Sequence, residues 1–157
     1  MGRIIQVKST GKARLSNYSR RVRRLGIYAY GHEFYDMARK TRRSPVKSYL
    51  LGHALELFLK SFLMKKGRIL EDLKKDFGHR IDRLLKEACK HDVEDCFRIS
   101  DELKADLAVF SKLYAGKDYE YFSILAWIFR QQQPDTRRLF RFAKELDNKL
   151  PAIIKAS

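Results

Sequence analysis

The stretch Tyr49–Gly67, YLLGHALELFLKSFLMKKG, carries the pattern that organises the chain. Placed on a helix with His53 at the origin, Glu56 falls at about 300° and Lys60 at about 340°. Leu51, Leu55, Phe58, Leu59 and Phe62 fall between about 140° and about 240°, the opposite face. The span predicts a central helix from Pro45 to Lys66 with one ionisable stripe, either solvated or holding a polar network. Ser44 is its expected N-cap, with Pro45 at the first helical position. Lys65 and Lys66 complement the negative end of the helix dipole, and Gly67 suits the left-handed residue that closes it.

The rest of the pattern is also helical. From Ser16, with Ser16, Asn17 and Ser19 as plausible caps, Ile27, Tyr30, Phe34, Met37 and Ala38 recur at helical intervals up to Thr41. Gly26 and Gly31 mark places where that helix is open to a break. RILEDLKKDFGH reads as a connector with a single helical turn. Gly78-His79 leads into a helix whose narrow apolar stripe is Ile81, Leu84, Leu85 and Ala88. Ser100 caps another, with two acids in its first turn, a buried face of Leu103, Leu107, Phe110, Leu113 and Tyr114, and Gly116 at its end. YEYFSILAWIF fits both helical and strand periods and reads as irregular or short helical structure. Pro134-Asp135 starts a final helix through Lys149 that Pro151 is expected to curtail. Five or six helices and no convincing strand predict an all-α bundle. Residues 1–16 lack any helical period and read as a flexible basic arm, leaving 17–157 as a single domain.

Composition supports one domain with a real core: 157 residues, 45% of them hydrophobic. No window is apolar enough to cross a bilayer, and the start of the chain has no secretory signal, so no membrane association is expected. Cys89 and Cys96 lack metal or redox spacing and read as reduced side chains, which points to a cytoplasmic location. Charge changes the picture more. The net value is +15, and residues 1–43 hold 12 basic against two acidic residues. Arg14, Arg20, Arg21, Arg23, Arg24, Arg42 and Arg43 are the candidates for contacts to phosphates, the ordinary target of such a block. A solvated basic face is the bland alternative. Tyr28, Tyr30, Phe34 and Tyr35 lie among these arginines and are candidates for stacking on bases, or for core.

His53, Glu56, Lys60 and His79 are the candidate ligand-binding residues. They suit a nucleotide or phosphate, or a structural network in which Glu56 pairs with Lys60 and orients His53. A two-metal helical site would want paired Glu-x-x-His motifs, whereas His53-x-x-Glu56 is reversed and single, so no metal is expected. No phosphate loop or nucleophile signature is present and no cofactor is expected.

LLGHALELFLKSFLMKKG, the short connector, FGHRIDRLLKEA, LYAGKDYEYF and the closing amphipathic helix together resemble the HEPN family, small helical nucleotide- and RNA-associated domains, over roughly residues 25–150. The resemblance implies an up-and-down helical bundle, a homodimer, and either a nucleotidyltransferase-type or other protein partner in a toxin–antitoxin pair or a noncatalytic module. RNase members pair an Arg and a His across a short spacer, the His moving a proton and the Arg steadying the phosphate. In this chain Arg24 and His32, and Arg83 and His91, have seven residues between them, and no His follows His91. The expectation is therefore a noncatalytic module binding RNA, nucleotide or a nucleic-acid-associated protein. The alternatives are a metal-independent RNase using His79 with Arg80 or Arg83, and a pure interaction subunit whose basic face docks an acidic partner.

Overall fold

In the computed structural model, residues 16–120 and 134–156 are described. They form six α-helices: α1 (Asn17–Lys40), α2 (Ser44–Lys65), α3 (Leu70–Phe77), α4 (Ile81–Cys89), α5 (Asp101–Ala115) and α6 (Thr136–Lys155), with a 3-10 turn at Val93–Asp95. The protein is all-α, as its pattern predicts. Arg14 and the rest of the basic arm, and most of the ambiguous aromatic stretch, lie outside the described residues. Among the described residues no helix is long and apolar enough to cross a membrane.

α2 is the axle, in contact with each of the other five helices. Leu51, Leu55, Phe58, Leu59 and Phe62 are fully buried on one side. Ala54, Ser61 and Leu63 are buried too, so the polar stripe faces protein rather than water. Its C-terminus closes as expected: Gly67 takes φ +96°, and its amide and that of Arg68 donate to the Met64 and Leu63 carbonyls at 3.2 and 3.0 Å. Its N-terminus differs. The helix includes Ser44, Arg43 occupies the cap position, and no side chain bonds the free amides there. Pro45 needs none, which lowers the demand for a capping side chain.

α1 runs unbroken through both glycines. Gly31 is a close approach: a Cβ there would lie 2.9 Å from the Phe58 ring. The buried face is Gly31, Tyr35 and Ala38, rotated from the expected one, and Tyr30 and Met37 point outward. The connector after Gly67 is more helical than expected. Leu70 and Leu73 anchor two full turns, with Glu71 and Asp72 in the first turn and Lys74 and Lys75 in the last.

α6 continues through Pro151 to Lys155 instead of ending at it. Proline has no amide hydrogen for the carbonyl one turn back, that of Asp147. The single Tyr28 hydroxyl hydrogen is shared between that carbonyl and Asp147 Oδ1, each at 3.0 Å, so α1 fills part of the gap in α6.

Candidate functional site

The site is built from three places in the chain that meet on α2. Glu56 and Lys60 sit one turn apart, and each residue is 3% exposed. Lys60 Nζ donates to Glu56 Oε1 at 2.5 Å and to the Gly78 carbonyl at 3.1 Å. Gly78, at φ +52°, turns the chain between α3 and α4 and presents His79 to the other carboxylate oxygen. His79 Nδ1 lies 2.9 Å from Glu56 Oε2. From α5, the Tyr114 hydroxyl donates to the same oxygen at 2.9 Å. His53 Nδ1 lies 2.8 Å from the Tyr114 oxygen.

Proton positions follow from the acceptor count. Burial alone would raise the Glu56 pKa, but the Lys60 ammonium and the hydrogen bonds from Lys60, His79 and Tyr114 hold it below the ordinary glutamate range. Glu56 is thus an acceptor only, and His79 must donate through Nδ1–H. Tyr114 spends its single hydrogen on Glu56, so its oxygen accepts from His53 Nδ1–H. In both imidazoles Nδ1 is thus the tied nitrogen, and in neutral His53 the lone pair falls on Nε2. Burial, ahead of the neighbouring charges, pushes His53 below the usual histidine range and keeps it neutral. Burial and the adjacent carboxylate raise the Tyr114 phenol well above its ordinary value, so it remains a donor.

Packing holds the two imidazoles differently. His53 is half-buried, with the Phe34 ring edge-on at 4.4 Å and Tyr49 stacked at 5.9 Å between centroids. The His79 side chain is 58% exposed. Tyr114 reaches the network because position 52 is glycine: a Cβ there would sit 2.5 Å from the Tyr114 ring.

All four predicted ligand residues, His53, Glu56, Lys60 and His79, therefore converge. Tyr114, which joins them, is absent from the prediction, where it counts only as apolar packing on α5. The available signal was its hydroxyl, since a tyrosine on a buried stripe needs a partner where phenylalanine would not. Arg80 is engaged elsewhere. Its guanidinium forks onto Asp82 at 2.9 and 2.8 Å. Burial opposes ionisation of Asp82, yet Arg80 and Ser111 bring its pKa to about 2. Arg83 is exposed on α4.

The arginines divide. Arg20 and Arg21 are exposed at the start of α1, and Arg42 and Arg43 at the α1–α2 turn, about 33 Å away along the helix axis. Arg23 pairs with Glu71. Arg24 Nε donates to the Ile154 carbonyl at 2.9 Å, and Lys65 donates to that of Ala156, so both occupy the C-terminal end of α6. Of the aromatic candidates, Tyr30 is exposed, whereas Tyr28, Phe34 and Tyr35 pack inside. Cys89 and Cys96 are free and half-buried. Among the described residues no three His, Cys, Asp or Glu side chains gather as a metal site would require.

What the fold and site define at this level is an all-helical bundle with a charged network at its axle. Comparison with family models, curated proteins and solved structures gives no match for this chain.

Proposed function

We propose that the chain is a noncatalytic HEPN-like helical module that binds RNA or a nucleotide by its phosphates, alone or with a nucleic-acid-associated protein partner. The supporting observation is the crowding of like charge at one end of the bundle. Arg20, Arg21 and Lys66 are exposed there beside Arg24 and Lys65. Burial, followed by the nearby Arg24, Arg21 and Lys66, holds the Lys65 ammonium below its ordinary range. Two of these cations are spent on α6 carbonyls, and the remaining three suit a phosphate backbone.

Filter binding with a single-stranded RNA checks this reading. Affinity falls steeply with salt, and each phosphate contact removed by Arg20→Ala, Arg21→Ala or Lys66→Ala lowers the log–log slope by about 0.7. No binding at low salt refutes it.

A second reading, a metal-independent RNase, draws support from the paired imidazoles, whose tied Nδ1 atoms leave two Nε2 atoms for proton transfer. Arg83 would then steady the phosphate, as Arg80 is held by Asp82. Cleavage in EDTA that disappears in His79→Ala and in His53→Ala supports this reading; intact RNA after prolonged incubation removes it.

A further inference from the structure

The end of α6 occupies two of the cations that a phosphate would use. Arg24 Nε donates to the Ile154 carbonyl at 2.9 Å, and the Lys65 ammonium donates to that of Ala156. Both carbonyls belong to the last turn of α6 and its cap, where the helix dipole gathers partial negative charge. Burial, then Arg24, Arg21 and Lys66, lower the Lys65 pKa, so these cations stand within reach of one another. Arg23 is spent on Glu71, and α6 carries no acid after Asp147. Among the described residues, Arg24 and Lys65 are answered by main-chain oxygens, with no acid bridging to either.

That last turn is lightly attached. Pro151 has no amide hydrogen for the Asp147 carbonyl, and the Tyr28 hydroxyl facing that carbonyl is shared with Asp147 Oδ1. Beyond Pro151, Ile154 is the one fully buried side chain among the described residues, with Ile153 packed partly against the core. Ala152, Lys155 and Ala156 are exposed. The turn is therefore held by two apolar side chains and two cations. A carbonyl offers those cations a partial charge and a phosphodiester offers a whole one, so a phosphate takes both donors once the turn leaves. We infer that the last turn of α6 is an internal competitor at the phosphate site. While it is docked, Arg24 and Lys65 bond its carbonyls. Its release adds both to the exposed Arg20, Arg21 and Lys66 as contacts for a phosphate backbone. The inference rests on the phosphate-binding reading above and supplies its regulation.

Filter binding of a single-stranded RNA by the full chain, across a range of salt concentrations, is the test. Ile154→Ala removes the buried anchor. Ala152→Gly loosens the same turn from an exposed position without touching the core, which keeps the test open should the first variant fold poorly. Two added phosphate contacts steepen the log–log slope of Ile154→Ala by about 1.4. Between about 50 and about 200 mM salt its affinity then falls about sevenfold more than that of the wild type. Ala152→Gly moves the slope in the same direction. Adding Arg24→Ala/Lys65→Ala to either variant returns the slope to the wild-type value, which loosening of the turn alone would not do. An unchanged slope in both variants, or a steeper one that persists without Arg24 and Lys65, overturns the inference and leaves the RNA reading standing. No binding at low salt by the wild type or by either variant refutes the RNA reading itself, and the inference with it.

Discussion

Replacing Lys60 by methionine removes one charge from the axle of the bundle while keeping nearly the same volume. In the native protein Glu56 receives three donors: Lys60 at 2.5 Å, and His79 and Tyr114 at 2.9 Å each. Lys60→Met leaves the buried Glu56 carboxylate with the His79 and Tyr114 donors and without its ammonium partner. Breaking a buried pair by deleting one partner costs about 3–5 kcal/mol, a large part of the roughly 5–15 kcal/mol that a domain has in all. The Gly78 carbonyl loses its Lys60 donor as well. The loss depends on pH with a fixed sign. In the wild type the Glu56 pKa is lowered, so its contribution is present above the unfolded glutamate value and disappears as pH falls through the folded value. Without Lys60, burial dominates and the folded pKa rises above the unfolded one, so raising pH destabilises the variant. The gap between the two proteins is widest near neutrality and narrows toward acid. Urea denaturation followed by circular dichroism at about pH 7 and about pH 5 measures it. The double variant Glu56→Leu/Lys60→Met, which removes both charges, recovers most of the deficit. A Lys60→Met loss below about 1 kcal/mol, or one that does not vary with pH, would refute the account of Glu56 as a buried carboxylate held ionised by its partner.

Three further outcomes follow from the same geometry. Gly52→Ala drives a Cβ to 2.5 Å from the Tyr114 ring and costs about 1–3 kcal/mol in urea unfolding, because the ring must leave both its hydrogen bonds and its packing. Tyr28→Phe removes the hydroxyl shared by the Asp147 carbonyl and its Oδ1 and costs about 1–3 kcal/mol; restoring an amide donor to the carbonyl with Pro151→Ala in that background returns part of the loss. His53, with its pKa lowered by burial, stabilises the fold above the ordinary histidine value of about 6.5 and loses that contribution as pH falls toward its folded pKa, a titration that nuclear magnetic resonance reads directly from the ring protons.

The order of the helices was legible because strong apolar periods survive any tertiary arrangement: Ile81, Leu84, Leu85 and Ala88 are all buried, as are Leu103, Leu107 and Phe110. The outward turn of Tyr30 and Met37 was not. Period alone gives a stripe, and the contact of Gly31 with Phe58, which rotates α1, depends on the partner helix. Pro151 misled for a similar reason, since the hydroxyl that satisfies Asp147 comes from Tyr28, 119 residues away in sequence. His53, Glu56 and Lys60 shared a stripe that helical spacing revealed. His79 joined the candidates through its place after Gly78, but nothing in the spacing of α5 told Tyr114 apart from its apolar neighbours. Even Gly116 shows the limit: the glycine takes the cap position and Lys117, at φ +65°, takes the left-handed one.

The buried pair raises the question of why a bundle would keep ions at its axle when apolar residues cost less to bury. The answer lies in what each donor fixes. Lys60 holds the Gly78 carbonyl and so the turn between α3 and α4, His79 holds the start of α4, and Tyr114 holds the end of α5. An apolar contact at these positions would tolerate a slip of one helix along another. Glu56 has two oxygens and three donors, and no slipped register satisfies all three. The charges therefore select one arrangement of three chain segments around α2, and the same selection orients the exposed His79 imidazole. Lys60→Met loosens that register from within.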